Sequence, residues 1–265
     1  MSLRTHVSSL LAFCLTIASV PGIFAQAPTA SRGQTVIAEA AAENKYTFVV
    51  FFKQNDSATS AMSASLQKTL ANDADRCVIT FVKVDEPSER ALVAKYDVSR
   101  APMPMALAIA PNGAITGMLN GKFATEHVRN SFVTPTMMSV MKSLQEGKLV
   151  LVTVRGSVPG APPAAVRDLQ NDPHFGTRLI DVSVNAADPE EALFMNQMKI
   201  DPQTAATHLT LLAPPGIVVG KFASNATKSE IAFALAEKGK CCDDPNCKHN
   251  QSPGRAATAP QGTRK

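Results

Sequence analysis

The sequence predicts an α/β protein made of two tandem domains, each a central mixed sheet flanked by helices. Three observations predict it. Short apolar runs such as Tyr46–Lys53 are apolar on both faces, as in the middle strand of a covered sheet. These runs alternate with segments of helical period, such as the stripe Met62, Leu66, Leu70. The chain also echoes itself: ALVAKYDV (91–98), APNG (110–113) and GKFA (121–124) return in order as ALFMNQMKI (192–200), APPG (213–216) and GKFA (220–223). On this alignment the second hairpin is shorter by four residues.

Each element follows from local signals. TVIAEAAAEN (35–44) is Ala-rich and reads as a helix, and Tyr46–Lys53 as a strand. A helix begins near Ser57, and Cys77–Asp85 is the next buried strand. Pro87 suits the first turn of a helix running to Tyr96. Met105–Ala110 and Ala114–Leu119 flank Pro111-Asn112-Gly113, a hairpin turn. A helix near Thr125 is interrupted by Pro135. Thr134 then caps a second helix that runs to Glu146 and stops at Gly147.

The pattern restarts with the strand Leu149–Val154. A Gly/Pro-rich loop (155–164), a helix Ala165–Gln170, a strand Arg178–Val184 and a helix after Pro189 follow. Leu209–Ala213 and Ile217–Phe222 form a hairpin. Thr227 and Glu230 make a capping box for a last helix, with Ile231 and Leu235 facing inward and Gly239 ending it.

The ends of the chain carry different chemistry. Arg4 and His6, an apolar stretch from Val7 to Val20 and the small-residue site IFAQA give residues 1–27 the form of a signal peptide cleaved after Ala25. The alternative is a short anchor, but the run is short against the about 20 residues a membrane span needs. Export to the periplasm or cell exterior is the expectation, with no later membrane span. The net charge of +4 is unclustered apart from the last residues, aromatics are few and Trp is absent, so nucleic acid is not an expected partner.

The run YTFVVFFKQNDSATSAM (46–62) resembles the active-site segment of the thioredoxin family, a strand, a short turn and a helix start. In that family the strand leads into Trp-Cys-Gly-Pro-Cys-Lys. Laid on without a gap, those positions fall on Asn55, Asp56, Ser57, Ala58, Thr59 and Ser60. Both thiols are missing. Disulfide chemistry needs a thiolate and a second thiol to resolve the mixed disulfide. The resemblance covers 33–240, divided into a first domain 33–146 and a degenerate second domain 147–240. It implies a scaffold without a catalytic residue at Asp56, Ser57, Ala58 or Thr59.

The family also places a cis-proline before the third strand, beside a groove for extended peptides. In VSRAPMPMALAIAPNG (98–113) both Pro102 and Pro104 fit that place, with Met103 between them. The resemblance implies that these three residues line a binding groove. The second half has Thr204 or Ala205 opposite Pro102, and Ala206 or Thr207 opposite Pro104, so a groove there is not expected.

Residues 241–265 hold a Cys-rich motif and a basic tail. Cys241, Cys242, Cys247 and His249 offer a Cys3His set for one zinc or copper ion. A disulfide from Cys247 to Cys241 or Cys242 is the competing reading, since the compartment is oxidising. Cys77 opens a predicted strand and reads as a buried, inert thiol. The sequence therefore favours a redox-inactive protein that binds a peptide or protein partner. A metal-handling protein and a thiol oxidoreductase using tail cysteines are the rivals.

Overall fold

The computed structural model describes residues 30–158 and 160–238. Two four-stranded mixed sheets, flanked by helices, lie in one compact unit that begins at Ser31. The first half contains α1 (Arg32–Ala42), β1 (Tyr46–Phe52), α2 (Ser57–Thr69), β2 (Cys77–Lys83), α3 (Arg90–Lys95), β3 (Met105–Ile109), β4 (Ile115–Asn120) and α4 (Thr125–Arg129). The second contains α5 (Pro135–Gln145), β5 (Leu149–Arg155), α6 (Ala164–Gln170), β6 (Leu179–Asn185), α7 (Ala192–Met198), β7 (His208–Ala213), β8 (Ile217–Ala223) and α8 (Lys228–Lys238). Among the described residues no helix is long and apolar enough to cross a membrane.

Both sheets have the same plan. The orders are β2-β1-β3-β4 and β6-β5-β7-β8, with the first pair parallel and the other two antiparallel. The central strands β1 and β5 are apolar on both faces because each face is covered. Phe48 and Val50 pack with Met62 and Leu66 of α2, while Val49 and Phe51 pack with Leu92 and Val93 of α3. In the second half Leu149 and Leu151 meet Leu169 of α6, and Val152 and Val154 meet Phe194 and Met195 of α7. Full burial of each such side chain is worth about 1.5–3 kcal/mol.

The repeat is tighter than the sequence echoes suggest. Ser31 and Thr134, Tyr46 and Leu149, Met105 and His208, and Thr125 and Lys228 each lie 103 residues apart at matching places. The β-bulge after Ala108 recurs after Leu211, at the same offset. Of the three echoes only APNG–APPG keeps this register. The GKFA match is four residues out: Gly220 of β8 stands opposite Gly117, not Gly121, so the two hairpins are equal in length. The ALVAKYDV match is two residues out of that register and one out of the local one, since the buried pair Leu92-Val93 corresponds to Phe194-Met195. Burial and strand pairing set the register, and neither follows letter identity.

In this repeat α5 stands to β5 and β6 as α1 stands to β1 and β2. The expected boundary at 146–147 lies between α5 and β5, and Met138 and Met141 of α5 also pack against the first sheet. The α1 helix starts earlier than expected, at Arg32. Ser31 and Gln34 form a capping box there, Ser31 Oγ accepting from the Gln34 N–H at 3.2 Å.

A buried glutamate fixes the leading helix of each half. The 3-10 turn Pro87–Glu89 presents Glu89, which is 6% exposed, to the α1 N-terminus. Ser31 Oγ donates to Glu89 Oε2 at 2.6 Å and the Gly33 N–H donates to Oε1 at 3.0 Å. The matching turn Pro189–Glu191 presents Glu191 to α5, where the Thr136 N–H donates to Oε1 at 2.8 Å. A carboxylate at a helix N-terminus satisfies orphan donors and meets the positive end of the helix dipole.

Candidate functional site

The C-terminal end of β1 leads through residues 53–56 into α2. Asp56 caps that helix, its Oδ1 accepting from the Thr59 N–H at 2.9 Å. That bond, first among its causes, holds the exposed carboxyl below the ordinary aspartate value. Thr59 is buried and its hydroxyl donates to the Gln54 carbonyl at 2.8 Å. The two positions laid on the thiols are thus an exposed carboxylate and a buried hydroxyl, each engaged in holding the turn. Ser57 and Ala58 are exposed, and among the described residues no base is bonded to Ser57.

Across from this turn, the segment before β3 carries the prolines. The Met103–Pro104 peptide is cis, and Pro102 is not. Pro102 is exposed, Met103 half-buried and Pro104 buried. Asp56, Thr59, Pro102, Met103 and Pro104 surround one cleft of about 320 Å³, together with Lys53. A second cleft of about 410 Å³ lies on the other side of Pro104, between Ala58, Ala61 and Met62 of α2 and Lys122 and Phe123. Lys122 and Phe123 were missed as groove residues because they sit in the GKFA echo, which reads as a repeat mark. No hydrogen bond holds the Met103 peptide N–H or carbonyl among the described residues. An extended segment has main-chain groups of the right kind to pair with it.

The second half differs at the corresponding place. Thr207 takes the position of Pro104, and the loop after β5 is eight residues long (156–163) against four (53–56) after β1. That loop turns onto the segment before β7. The Ser157 N–H donates to the Thr204 carbonyl at 3.0 Å and the Val158 N–H to Ala205 at 3.2 Å. The approach is so close that a Cβ at Gly156 would collide with the Ala205 carbonyl. Here the chain itself occupies the Thr204 and Ala205 carbonyls, whose counterparts at Ala101 and Pro102 accept no hydrogen bond among the described residues. The helix that follows, α6, has no side-chain cap.

Cys77 lies at the opposite end of the first sheet, paired with Tyr46 at the start of β1. Six strand steps separate that level from Phe52, roughly 20 Å. Among the described residues its thiol has no disulfide partner; it donates to the Asp73 carbonyl at 3.2 Å and is pushed up to about 11 by burial and then by the Asp73 charge. It is protonated at neutral pH and remote from Asp56 and Thr59. The signal segment 1–27, and Cys241, Cys242, Cys247 and His249 with their metal or disulfide, lie outside the described residues.

No family model matches the chain, and no curated protein matches its sequence. Among solved structures, thioredoxin O2 from Arabidopsis thaliana aligns at 15% identity over 43% of this chain and 90% of its own, with a TM-score of 0.30. The first two thioredoxin domains of Eps1p from Saccharomyces cerevisiae align at 10% identity over 76% of this chain and 95% of their own, with a TM-score of 0.30. The NTD_N/C domain of the alkylhydroperoxide reductase AhpF from Enterococcus faecalis aligns at 17% over 76% and 96%, with a TM-score of 0.27. Such likeness transfers no activity. What makes both halves thioredoxin-like is their own element order and strand pairing: strand, helix, parallel strand, helix, then an antiparallel hairpin and a closing helix.

Proposed function

We propose that this chain is a redox-inactive thioredoxin-like protein of the periplasm or cell exterior, whose first half holds an extended segment of a peptide or protein partner. One observation carries the reading. Among the described residues the main chain of 102–103 is unpaired between two clefts, whereas in the second half Ala205, the counterpart of Pro102, already accepts a hydrogen bond from that half's own loop. An incoming strand would pair with Met103 and place an apolar side chain between Met62 and Phe123. Strand addition of this kind draws affinity from main-chain bonds and selectivity from the side-chain pocket. Asp56 and Thr59 would shape the groove rather than react in it.

Selection of random peptides on the immobilised full chain tests this. Enriched peptides should carry an apolar residue and lose affinity at least tenfold against Ala61→Arg, which fills the cleft, but not against Val158→Arg in the second half. Peptides that bind both variants like the parent would overturn the reading. The location is tested separately, by fusing residues 1–27 to a reporter active only after export.

A further inference from the structure

The internal repeat makes one surface stand out. On the face of the first sheet that packs on α3, β3 places Met105 and Leu107, both buried among Val98, Tyr96 and Met103. At the same register the second sheet places His208 and Thr210, and Lys221 replaces Met118 on the neighbouring strand. Thr210 and Lys221 are cross-strand partners, and His208 is two residues from Thr210, so all three share one face. Three apolar positions have become three hydrogen-bonding ones.

They floor a cleft of about 270 Å³, walled by Lys199, Asp201 and Thr204. The floor holds an unmet demand. Thr210 is 1% exposed and its hydroxyl has no partner among the described residues. A buried hydroxyl without a partner is costly, and a valine of the same shape would avoid the cost. The groups around it are placed but not exhausted. Lys221 Nζ donates to the Met198 carbonyl at 2.6 Å and reaches the Lys199 carbonyl at 3.5 Å, leaving one of its three protons. His208 Nε2 lies 2.9 Å from Thr204 Oγ1, leaving the other ring nitrogen.

We infer that this cleft binds a small carboxylate, taken by the Thr210 hydroxyl and the Lys221 ammonium with His208 at its side. Charge selects the class. Lys199 and Lys221 against Asp201, whose Oδ1 already accepts from the Gln203 N–H, leave one net positive charge. That balance suits a single negative charge and disfavours the phosphate dianion. The volume lies just below the usual range of about 300–1,000 Å³ for small-molecule sites, so the ligand has few heavy atoms.

Titration of the isotopically labelled full chain with sodium acetate, against sodium chloride at equal ionic strength, tests the site. Acetate should shift the amide signals of His208, Thr210 and Lys221 to saturation. Thr210→Val keeps the shape, and Lys221→Gln keeps a donor for the Met198 carbonyl. Each should weaken binding at least fivefold, while Lys68→Gln on the exposed side of α2 should not. Thr210→Val should also melt no lower than the parent, which separates lost binding from lost folding. Shifts that chloride reproduces, that never saturate, or that both variants retain would overturn the site. Tighter binding of inorganic phosphate than of acetate would overturn the carboxylate assignment.

Discussion

Replacing Glu89 by alanine should cost the first half far more than the same change at Glu191 costs the second. Glu89 uses both oxygens, one for the Ser31 hydroxyl at 2.6 Å and one for the Gly33 N–H at 3.0 Å. Hydrogen bonds to charged groups contribute about 1.5–3 kcal/mol each, so two set an upper range of about 3–6 kcal/mol. Removing the carboxylate also removes the cost of burying it, which lowers the expected loss to about 3 kcal/mol. The site cannot relax inward easily, because the Gly33 Cα side sits against Leu92 and Val82; a Cβ there would lie 2.6 Å from Leu92 Cδ2. Among the described residues Glu191 holds one donor and leaves Oε2 buried without a partner, so Glu191→Ala should cost about 1 kcal/mol. For a chain of this size about 1 kcal/mol moves the melting temperature by about 2–4 °C. Urea unfolding followed by amide exchange resolved by residue separates the two halves. Equal losses in the two halves, or a Glu89→Ala loss below about 1 kcal/mol, would refute the argument that these bonds fix the leading helices.

Three further outcomes are expected. The purified chain should not reduce insulin disulfides, whereas Asp56→Cys with Thr59→Cys should gain measurable turnover; activity of the parent above a thiol-free control would sink the first statement, and a folded but inert double variant the register. Asp56 should titrate below 3.8, because the Thr59 N–H favours its ionised form. Its contribution to stability is therefore present above the unfolded carboxyl value and lost as pH falls through the lower folded value; a midpoint at or above 3.8 by NMR would contradict the cap. Gly156→Ala should expel the 156–158 loop from the Ala205 carbonyl and expose the amide protons of Ser157 and Val158 to fast exchange. Unchanged protection at those two amides would show that the loop is not held as described.

Strand and helix identity was legible because burial writes itself into composition. Tyr46–Phe52 is buried on both faces and reads as a continuous apolar run, and Pro111-Asn112-Gly113 announces its turn, with Gly113 at φ +82°. The start of α1 was missed because Gly33, a weak helix former, sits in its first turn. What admits Gly33 is tertiary, namely the tight approach of Glu89, Leu92 and Val82. The glutamates themselves left a signal, Pro-Ser-Glu and Pro-Glu-Glu at matching places after β2 and β6, but a charged residue beside a proline reads first as a solvated turn. The groove was only half legible. Asp56 and the two prolines could be found by family layout, whereas Lys122 and Phe123 reach Pro104 only through the path of the chain after β4. The cleft of Thr210 was invisible because a Thr in a strand is ordinary, and only the paired register shows that Leu107 is its counterpart.

The two halves agree where the backbone is set and differ where ligands can enter. The buried glutamate, the β-bulge and the left-handed residue after α3 and α7 (Asp97 and Lys199) recur at matching positions. Each of these fixes a chain path whatever the side chains nearby do. The differences gather at one end of the sheets, where β1 and β5 finish and β3 and β7 begin: the loops 53–56 and 156–163, Pro104 against Thr207, and Met105 against His208. Loops on a rigid scaffold are where binding residues change at least cost to the fold. The first half keeps this end open over an apolar floor, and the second closes its main chain with its own loop while turning three floor positions polar. The groove we propose for an extended peptide and the small polar cleft are the two different products of that one change of ends, and their linings differ in kind, one apolar and one polar.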